Sequence, residues 1–312
     1  MSRKAFVMGV DGGGTKSIGL IADAPGTILT RHETGASNVN VVGVEGAAKS
    51  LHKLITNCCE DLRCRPDELA SIVLALAGAG DDEVKHKIKD ALNGLFSKNG
   101  MKTLPIVIET DARAALEGAF NGGPGIVIVS GTGSIVMGKS GRGDLLTVGG
   151  WGRFLGGEGS GYFIGREAVK AVTLQMDKRG ETTKLAQKLA EKYKWHTRAD
   201  IIRAVYQEKF ELSQLAPLVL ETAATNDLVS QKITSGAALQ LAEQTRVIAL
   251  QMGIFRKIGL VMVGSMIDHE NVYSNTLHMK LMKLLPQVEV RQPMNSPAHG
   301  AVLMALERMK RG

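Results

Sequence analysis

A carboxylate stands directly before a glycine-rich turn near the start of the chain. In FVMGVDGGGTKSIGLIAD, residues 6–23, an apolar run ends at Asp11, the turn GGGT follows, and a second apolar run begins. Glycines leave backbone amides open to close approach, and the hydroxyl of Thr15 adds a donor, so the turn suits phosphate oxygens. Because a carboxylate repels phosphate unless a cation separates them, we expect Asp11 to act through Mg²⁺. Two roles stay open for Lys16, a phosphate contact or a solvent-exposed strand residue.

The same arrangement recurs about 120 residues later, in IVIVSGTGSIVMGKSG at residues 126–141. Neither turn follows GxxxxGK[ST] into a helix, and GxGxxG is absent, so neither is a standard nucleotide loop. An ordinary hairpin also uses glycine at its tight positions, which is the structural alternative for each turn taken alone. Two copies in equivalent places predict two similar halves that each hold phosphate.

A second carboxylate, Asp111, occurs in IVIETDARAALEGA. It follows a predicted strand and begins a predicted helix, which is where α/β proteins place residues that face ligands. Capping of that helix is the structural alternative, because aspartate is a favoured N-cap residue. Beside a phosphate site, a carboxylate base that accepts a hydroxyl proton is what phosphoryl transfer to an alcohol needs.

A glycine-dense stretch, VGGWGRFLGGEGSGYFIGREAV, covers residues 148–169. Trp151 could lie against a sugar face and Glu158 could bind hydroxyls. The structural alternative is a surface loop in which Ser160 caps the next helix. The segment TGASNVN adds the amides of Asn38 and Asn40, which can donate and accept together, although turn chemistry alone would also explain them.

The apolar patterns around these motifs predict an α/β fold. Alternation closed by glycine predicts strands at residues 5–10, 17–22, 72–76, 104–108, 126–129, 134–138 and 260–263. Apolar spacing of three and four predicts helices at residues 44–62, 81–96, 112–120, 160–176, 185–195, 215–254 and 297–310.

Composition sets the class of protein. A length of 312 residues with 44% hydrophobic and 22% charged residues predicts two globular domains without long disorder. The net charge of +7 is spread among acids and only 4% of residues are aromatic, so we expect no nucleic-acid partner. We also expect no signal peptide, no membrane span and a cytoplasmic location. The three cysteines, Cys58, Cys59 and Cys64, are expected in one helix as reduced thiols.

The ordered motifs resemble those of a known family. VDGGGTKS, GASNVN, ETDARAAL, SGTGS, GGWGRFLGGEGSGYFIG, MVGSM and PAHGA resemble the N-acetylglucosamine kinases and the related BadF/BadG/BcrA/BcrD-type ATPases, within the superfamily of sugar kinases, actin and heat-shock chaperones. The resemblance implies two ribonuclease H-like domains of the actin-like ATPase fold, with ATP and Mg²⁺ in an interdomain cleft. The implied domains are residues 1–121, joined by the C-terminal helix 297–312, and residues 122–296.

The resemblance also implies roles for single residues. Asp111 would be the base on the 6-hydroxyl of the sugar. The implied nucleotide contacts are Gly12, Gly13, Gly14, Thr15, Lys16, Gly131, Thr132, Gly133, Gly264 and Ser265. The implied sugar contacts are Asn38, Ser134, Gly150, Trp151, Gly152 and Glu158. The chain departs from the family at Gly157, where relatives often carry an acid, which predicts the loss of a hydroxyl or N-acetyl contact.

The predicted function is an ATP-dependent sugar kinase acting on a hexose or amino sugar, N-acetylglucosamine or glucosamine foremost, with a homodimer as the expected assembly. Alternatives are a kinase of another sugar or sugar acid, such as 2-keto-3-deoxygluconate, and an ATPase or ATP switch without a sugar substrate. An iron-sulfur reductase activator would need cysteines near and beyond the second turn, and none follows Cys64.

Overall fold

The computed structural model of the chain describes residues 5–253 and 257–311. It divides into two compact units, unit 1 within Met1–Gly123 and Gln292–Gly312, and unit 2 within Pro124–Arg291. The strands are β1 (Phe6–Gly12), β2 (Lys16–Asp23), β3 (Ile28–Gly35), β4 (Ser71–Leu76), β5 (Ile106–Thr110), β6 (Gly125–Ser130), β7 (Ser134–Lys139), β8 (Leu145–Gly149), β9 (Ile258–Val263) and β10 (Val288–Val290).

Helices surround both sheets. They are α1 (Val39–Asp61), α2 (Asp82–Ser97), α3 (Asp111–Ala119), α4 (Gly161–Met176), α5 (Lys184–Tyr193), α6 (Arg198–Ile202), α7 (Ala216–Ala224), α8 (Leu228–Gln251), α9 (Val272–Leu284) and α10 (Pro297–Arg311). Shorter helical turns are Pro66–Glu68, Arg203–Gln207 and Leu212–Leu215. None of the helices described in residues 5–253 and 257–311 is long and apolar enough to span a bilayer.

Unit 1 has a five-stranded mixed sheet in the order β3-β2-β1-β4-β5. The strands β1, β2 and β3 are antiparallel, whereas β1, β4 and β5 are parallel. The carboxyl ends of β1, β4 and β5 therefore share one edge of the sheet. Asp11, near the end of β1, and Asp111, directly after β5, lie at that edge.

The two faces of this sheet carry different helices because side chains alternate along each strand. Met8, Ile72 and Leu74 pack in the core that contains α1 and α2. Residues of the opposite parity, such as Val7 and Val73, pack in the core that contains α10. Each face is covered by helices, which is typical of sheets with parallel strands.

Helix α10 approaches β1 and α3 closely because glycines lie at the contacts. A Cβ at Gly9 in β1 would clash with the backbone of α10, 2.6 Å from the carbonyl carbon of Ala301. A Cβ at Gly300 in α10 would clash with the backbone of Ala114 and Gly118 in α3. Side chains at these glycines would force the elements apart, so the close packing depends on their absence.

Unit 2 repeats the strand topology of unit 1. Its sheet has the order β10-β9-β6-β7-β8, with β6, β7 and β8 antiparallel and β6, β9 and β10 parallel. Reversing the direction of reading gives β8-β7-β6-β9-β10, which matches β3-β2-β1-β4-β5. The internal repeat predicted from the two glycine turns is therefore confirmed as a repeat of topology.

Several elements differ from the sequence-based expectation. The strands β3, β8 and β10 and the helices α6 and α9 were not predicted. Both β3 and β8 are edge strands of their sheets. Exposed polar residues along β3 interrupt the alternation of apolar residues by which a strand is recognised in sequence. An edge strand needs only one apolar face, so its sequence pattern is weak.

One long predicted helix is two helices. The region predicted as helical over residues 215–254 contains α7 and α8, which are separated by Asn226 with φ of +63°. Asp227 then caps α8 by accepting a hydrogen bond from the backbone N–H of Ser230. The predicted end at Ile254 lies outside the described residues, as does Gly312 at the end of the expected helix 297–312.

The cysteine expectation is wrong in one detail. Helix α1 ends at Asp61, so Cys64 lies beyond it, while Cys58 and Cys59 are buried inside it. All three thiols are free, and burial raises the pKa of Cys58 to about 11. A thiol in that environment stays protonated and acts as an apolar core group.

Candidate functional site

The first glycine turn joins β1 to β2. The last paired residues are Gly12 and Ser17, and the backbone N–H of Gly13 donates to the carbonyl of Lys16 across the turn. Gly14 and Thr15 are exposed, and the Thr15 hydroxyl makes no hydrogen bond to any described residue. The turn therefore presents a free hydroxyl and glycine backbone to solvent, as phosphate binding requires.

Gly12 has a packing role. It is buried, and a Cβ there would clash with the hydroxyl oxygen of Ser37 and lie 2.5 Å from the side chain of Leu76. The glycine at this position thus allows β1 to end against the segment after β3. Only the later residues of the turn are open to a ligand.

Lys16 is the first residue of β2 and is exposed. Its Nζ lies 3.4 Å from Oε2 of Glu33 in the adjacent strand, a surface ion pair. Lys16 is nevertheless close enough to Asp11 to lower the pKa of that carboxyl. The structure thus places Lys16 on the exposed strand surface and within electrostatic reach of Asp11.

Asn38 is the N-cap of α1 and also contacts the first turn. Its Oδ1 accepts from the backbone N–H of Asn40 at 2.9 Å, and its own N–H donates to the carbonyl of Gly13 at 3.1 Å. A Cβ at Gly78, just after β4, would lie 2.7 Å from Oδ1 of Asn38. Gly78, with φ of +82°, is a neighbour that sequence reasoning missed, and a glycine soon after a parallel strand was the available signal.

Asp111 is the first residue of α3. The N-cap is Thr110, whose hydroxyl accepts from the N–H of Arg113, so the alternative of Asp111 as the N-cap is wrong. One carboxylate oxygen of Asp111 accepts from the N–H of Ala112 at 2.9 Å. The other oxygen has no hydrogen-bond partner among the described residues, and burial raises the pKa of this carboxyl.

The two carboxylates interact across β4. Burial, and then the negative charge of Asp111, raise the pKa of Asp11 to about 6, while Lys16 has a smaller opposing effect. Two partly buried acids at one sheet edge are an unfavourable arrangement unless a cation or a proton compensates them. The pair therefore forms an acceptor for positive charge.

Mg²⁺ fits these donors. No cluster of three or more histidine, cysteine, aspartate or glutamate side chains suited to a metal occurs among the described residues. A closed protein cage is therefore absent from that part of the chain, but Mg²⁺ is usually bound by one or two carboxylates together with substrate phosphates and waters. Asp11, beside the first turn and under the influence of Asp111, is suited to such an open site.

The second glycine turn, in unit 2, joins β6 to β7. Ser130 pairs with Ser134, and residues 131–133 form the turn, with Thr132 and Gly133 exposed. The carbonyls of Gly131 and Thr132 accept from the first backbone N–H groups of α4, at 2.8 and 3.3 Å. Those bonds tie the turn to the start of a helix, a position that favours anions.

Ser265 lies beside this second turn. Its Oγ is 3.6 Å from the position of a Cβ at Gly131. The preceding Gly264 has φ of +112°, and a Cβ there would clash with the backbone of Ser130. Gly264 therefore permits the end of β9 to meet the end of β6, and it brings Ser265 to the turn.

Ser134 and Glu158 are also joined within unit 2. The buried hydroxyl of Ser134 donates to the backbone carbonyl of Glu158 at 2.7 Å, so the proton of this hydroxyl is already used. Oε2 of Glu158 accepts from Nε2 of Gln244 at 3.3 Å. Gln244, whose Oε1 is buried without a partner, was missed because a lone glutamine within a helical pattern gives no signal.

Trp151 lies on an exposed loop after β8. Its side chain is 76% exposed, and the flanking Gly150 and Gly152 have φ of +75° and +81°. A cavity of about 490 Å³ is lined by Thr147, Val148, Gly149, Gly150 and Trp151. An exposed indole beside a cavity is a surface that can cover a ligand.

Gly157 also has a left-handed backbone, with φ of +78°. An L-amino acid side chain is strained in that region, so an acidic residue at this position would not suit this backbone. The predicted alternative of Ser160 as a helix cap is confirmed, because its Oγ accepts from the N–H of Phe163 at 3.1 Å.

Comparison with known proteins gives the family. The sequence pattern of the BadF/BadG/BcrA/BcrD ATPase family matches residues 8–305. The chain belongs to this family. The family is one of ATPases, which agrees with glycine turns that suit phosphate.

Two relatives are similar in sequence over nearly their whole length. An N-acetylmuramic acid/N-acetylglucosamine kinase of Clostridium acetobutylicum is 32% identical to this chain over 304 residues. That match covers 96% of this chain and 98% of the relative. An N-acetyl-D-glucosamine kinase of Dictyostelium discoideum is 31% identical over 99% of this chain and 100% of the relative.

Solved structures agree in fold. A proposed N-acetylglucosamine kinase of Chromobacterium violaceum has a TM-score of 0.72 at 22% identity, over 97% of this chain and 99% of that chain. A ROK family glucokinase of Streptomyces griseus has a TM-score of 0.57 at 18% identity, over 99% of this chain and 100% of that chain. With two mixed sheets and these neighbours, the predicted α/β fold of actin-like ATPases is confirmed.

Proposed function

We propose that this chain is an ATP-dependent kinase that phosphorylates the 6-hydroxyl of an amino sugar, N-acetylglucosamine or glucosamine. The single observation that carries the chemistry is the acidic pair of unit 1, in which Asp111 keeps one oxygen free and raises the pKa of Asp11. The sugar class rests on relatives at 31–32% identity over nearly the whole chain, whose names include N-acetylglucosamine kinase activity.

Asp111 is proposed as the general base. Its hydrogen bond to Ala112 fixes the carboxylate, and the second oxygen is left for the attacking hydroxyl. In the reaction, the 6-oxygen of the sugar forms a bond to the γ-phosphorus of ATP, the bond from that phosphorus to the bridging oxygen breaks, and ADP leaves. The hydroxyl proton moves to Asp111, whose raised pKa brings proton acceptance closer to neutral pH.

The two glycine turns are proposed to contact the phosphates of ATP. In unit 1 the free hydroxyl of Thr15 and the adjacent glycine backbone supply donors, and in unit 2 Thr132 and Gly133 supply the same groups. Ser265 and Gly264, beside the second turn, are proposed to contact the adenosine. Lys16 contributes positive charge near Asp11.

Asp11 is proposed to hold Mg²⁺ through its carboxylate and coordinated water. When bound, Mg²⁺ would neutralise charge on the phosphate oxygens. Asp11 itself keeps a negative charge beside the first turn, which leaves Asp111 available for the hydroxyl proton.

The proposed sugar contacts are six residues, each described within its own unit. Asn38 has Nδ2 available after its Oδ1 caps α1, and Ser134 has acceptor capacity after donating to Glu158. Glu158, Gly150, Trp151 and Gly152 complete the proposed set. Because the left-handed backbone at Gly157 disfavours an acid, we expect the N-acetyl group to be accepted without a charged partner at that position.

A sugar panel tests this function. ADP release is measured by a coupled assay with N-acetylglucosamine, glucosamine, N-acetylmuramic acid, glucose and 2-keto-3-deoxygluconate, each at saturating MgATP. We expect the amino sugars to give the highest kcat/KM, and ³¹P and ¹H NMR of the product to place the phosphate on the 6-oxygen. ADP release that no sugar stimulates would support an ATPase without a sugar substrate instead.

The proposed assembly of this chain is a homodimer. Light scattering of the purified chain gives its mass directly, independent of activity.

A further inference from the structure

A basic cavity lies at the opposite end of the unit 1 sheet from Asp11 and Asp111. It has a volume of about 260 Å³ and is lined by Ala70, Ser71, Lys89, Pro105, Ile106, Val107 and Arg308. Ser71 and Ile106 are the first residues of β4 and β5, whereas Asp111 follows the last residue of β5. A five-residue strand spans about 15 Å, so this cavity is separate from the acidic pair.

Two cations from different helices line this cavity. Lys89 is in α2 and Arg308 is in α10, which cover opposite faces of the sheet, and both residues line the same cavity. Neither makes an ion pair or hydrogen bond with any described residue, and no acid is among the lining residues. Like charges lining one cavity repel unless an anion compensates them.

The hydroxyl of Ser71 adds a neutral donor. Ser71 is only 4% exposed, yet its hydroxyl makes no hydrogen bond within the described part of the chain and the residue lines the cavity. Its oxygen is not among the fully buried polar atoms that lack a partner, so it faces the cavity and can donate to a ligand there. An ammonium, a guanidinium fork and a hydroxyl form a donor set that matches a tetrahedral oxyanion.

We propose that this basic cavity binds the phosphate group of a small phosphorylated metabolite. Its volume lies just below the range typical of small-molecule pockets, which suits a phosphate monoester of a few carbons rather than a nucleotide. The guanidinium of Arg308 would bind two phosphate oxygens, while Lys89 and Ser71 would donate to the third. This site goes beyond the proposed kinase function and does not depend on it.

Chemical footprinting of Lys89 tests the proposal. A brief pulse of acetic anhydride, followed by mass spectrometry of peptides, measures the acetylation rate of Lys89, with Lys49 in α1 as the internal reference. Glycerol 3-phosphate and inorganic phosphate are the probes, and potassium chloride at equal ionic strength is the control. A ligand at about ten times its Kd leaves roughly one tenth of sites open, so we expect Lys89 to react about tenfold more slowly while Lys49 is unchanged.

Matched variants separate this site from general charge effects. Arg308→Gln and Ser71→Ala should weaken the protection of Lys89 by glycerol 3-phosphate, whereas Lys310→Gln, which removes a charge from the same helix outside the cavity, should keep it. Circular dichroism checks that each variant is folded. The proposal is overturned if potassium chloride slows the acetylation of Lys89 as much as glycerol 3-phosphate does. It is also overturned if glycerol 3-phosphate still fully protects Lys89 in Arg308→Gln. Protection by inorganic phosphate alone overturns the assignment to a monoester.

Discussion

Asp11 and Asp111 lie at the carboxyl ends of two parallel strands that flank β4, and the charge of Asp111 adds to burial in raising the pKa of Asp11 to about 6. The residues are 100 positions apart in the chain, and the sheet order brings them to one edge. An arrangement that costs stability when both groups are ionised indicates a binding or catalytic role.

Replacing the proposed base should strongly reduce turnover while leaving nucleotide binding intact. Asp111→Asn keeps the shape of the side chain but cannot accept the hydroxyl proton, so we expect kcat to fall by at least about 10²-fold. Coupled ADP release gives kcat, and calorimetric titration with MgADP gives the Kd. Asp82→Asn is the matched control, because Asp82 is likewise the first residue of a helix in unit 1, and it should keep normal activity. Near-normal turnover in Asp111→Asn would remove Asp111 from the reaction.

Removing the charge of Asp11 should stabilise the protein near neutral pH. Its folded-state pKa of about 6 exceeds the ordinary 3.8, so the folded chain binds the proton more tightly and the ionised carboxylate lowers stability above pH 6. At about 1.4 kcal/mol for each pKa unit, Asp11→Asn should raise the free energy of unfolding by on the order of 1–3 kcal/mol at pH 7.5. The gain should be small near pH 4, because the folded state then carries the proton and about half of the unfolded chains do as well.

Urea unfolding of wild type and Asp11→Asn at pH 7.5 and pH 4, without Mg²⁺, measures this effect. A gain that is equal at the two pH values would show that the carboxylate charge is not its cause. The same variant should lose MgADP affinity in calorimetry, because the proposed metal contact is gone.

The close packing of α10 predicts a strong effect of one methyl group. Gly300→Ala would place a Cβ against the backbone of α3, so we expect a loss of about 1–3 kcal/mol in unfolding free energy. Gly94→Ala is the matched control, because Gly94 is also helical but a Cβ there would meet no atom within 4 Å. Because that position is open, Gly94→Ala should raise the free energy of unfolding by about 0.5–1 kcal/mol through the higher helix propensity of alanine. Equal effects in thermal or urea unfolding would contradict the packing argument.

Trp151 should affect sugar binding alone. Its indole is 76% exposed, so Trp151→Ala should leave the Tm nearly unchanged but raise the KM for the sugar by about tenfold, the equivalent of some 1.4 kcal/mol of lost contact. The KM for ATP should stay the same. Phe154→Ala removes another exposed ring from the same loop, 74% exposed, and should leave both KM values unchanged. A parallel rise in the ATP KM of Trp151→Ala would place the indole elsewhere.

Many of the strands could be predicted because the central strands are apolar and are followed by carboxylates or glycine turns. Asp11 and Asp111 stood out as carboxylates at strand ends, and the two glycine turns predicted the repeated topology. The edge strands β3 and β8 were not predicted, because a strand with one polar face has a sequence pattern close to that of a loop.

Contacts that depend on three-dimensional packing could not be predicted. Gly12 appeared to be a phosphate-facing turn residue, but a Cβ there would clash with Ser37, a neighbour that the sequence pattern does not indicate. Likewise, the link from Ser134 to the carbonyl of Glu158 joins residues 24 positions apart. Such pairs follow from how strands and loops meet, which periodicity does not specify.

The position of α10 in the chain has a consequence for biosynthesis. This helix completes the core of unit 1, yet the ribosome makes it only after the whole of unit 2, Pro124–Arg291, has been synthesised. Unit 2 is one continuous segment and can begin to fold as it emerges. The apolar residues that β1, β4 and α3 contribute to their shared core stay uncovered until α10 has been synthesised. Nascent chains should therefore gain protease resistance first in the later segment, which reverses the usual N-terminal-first order.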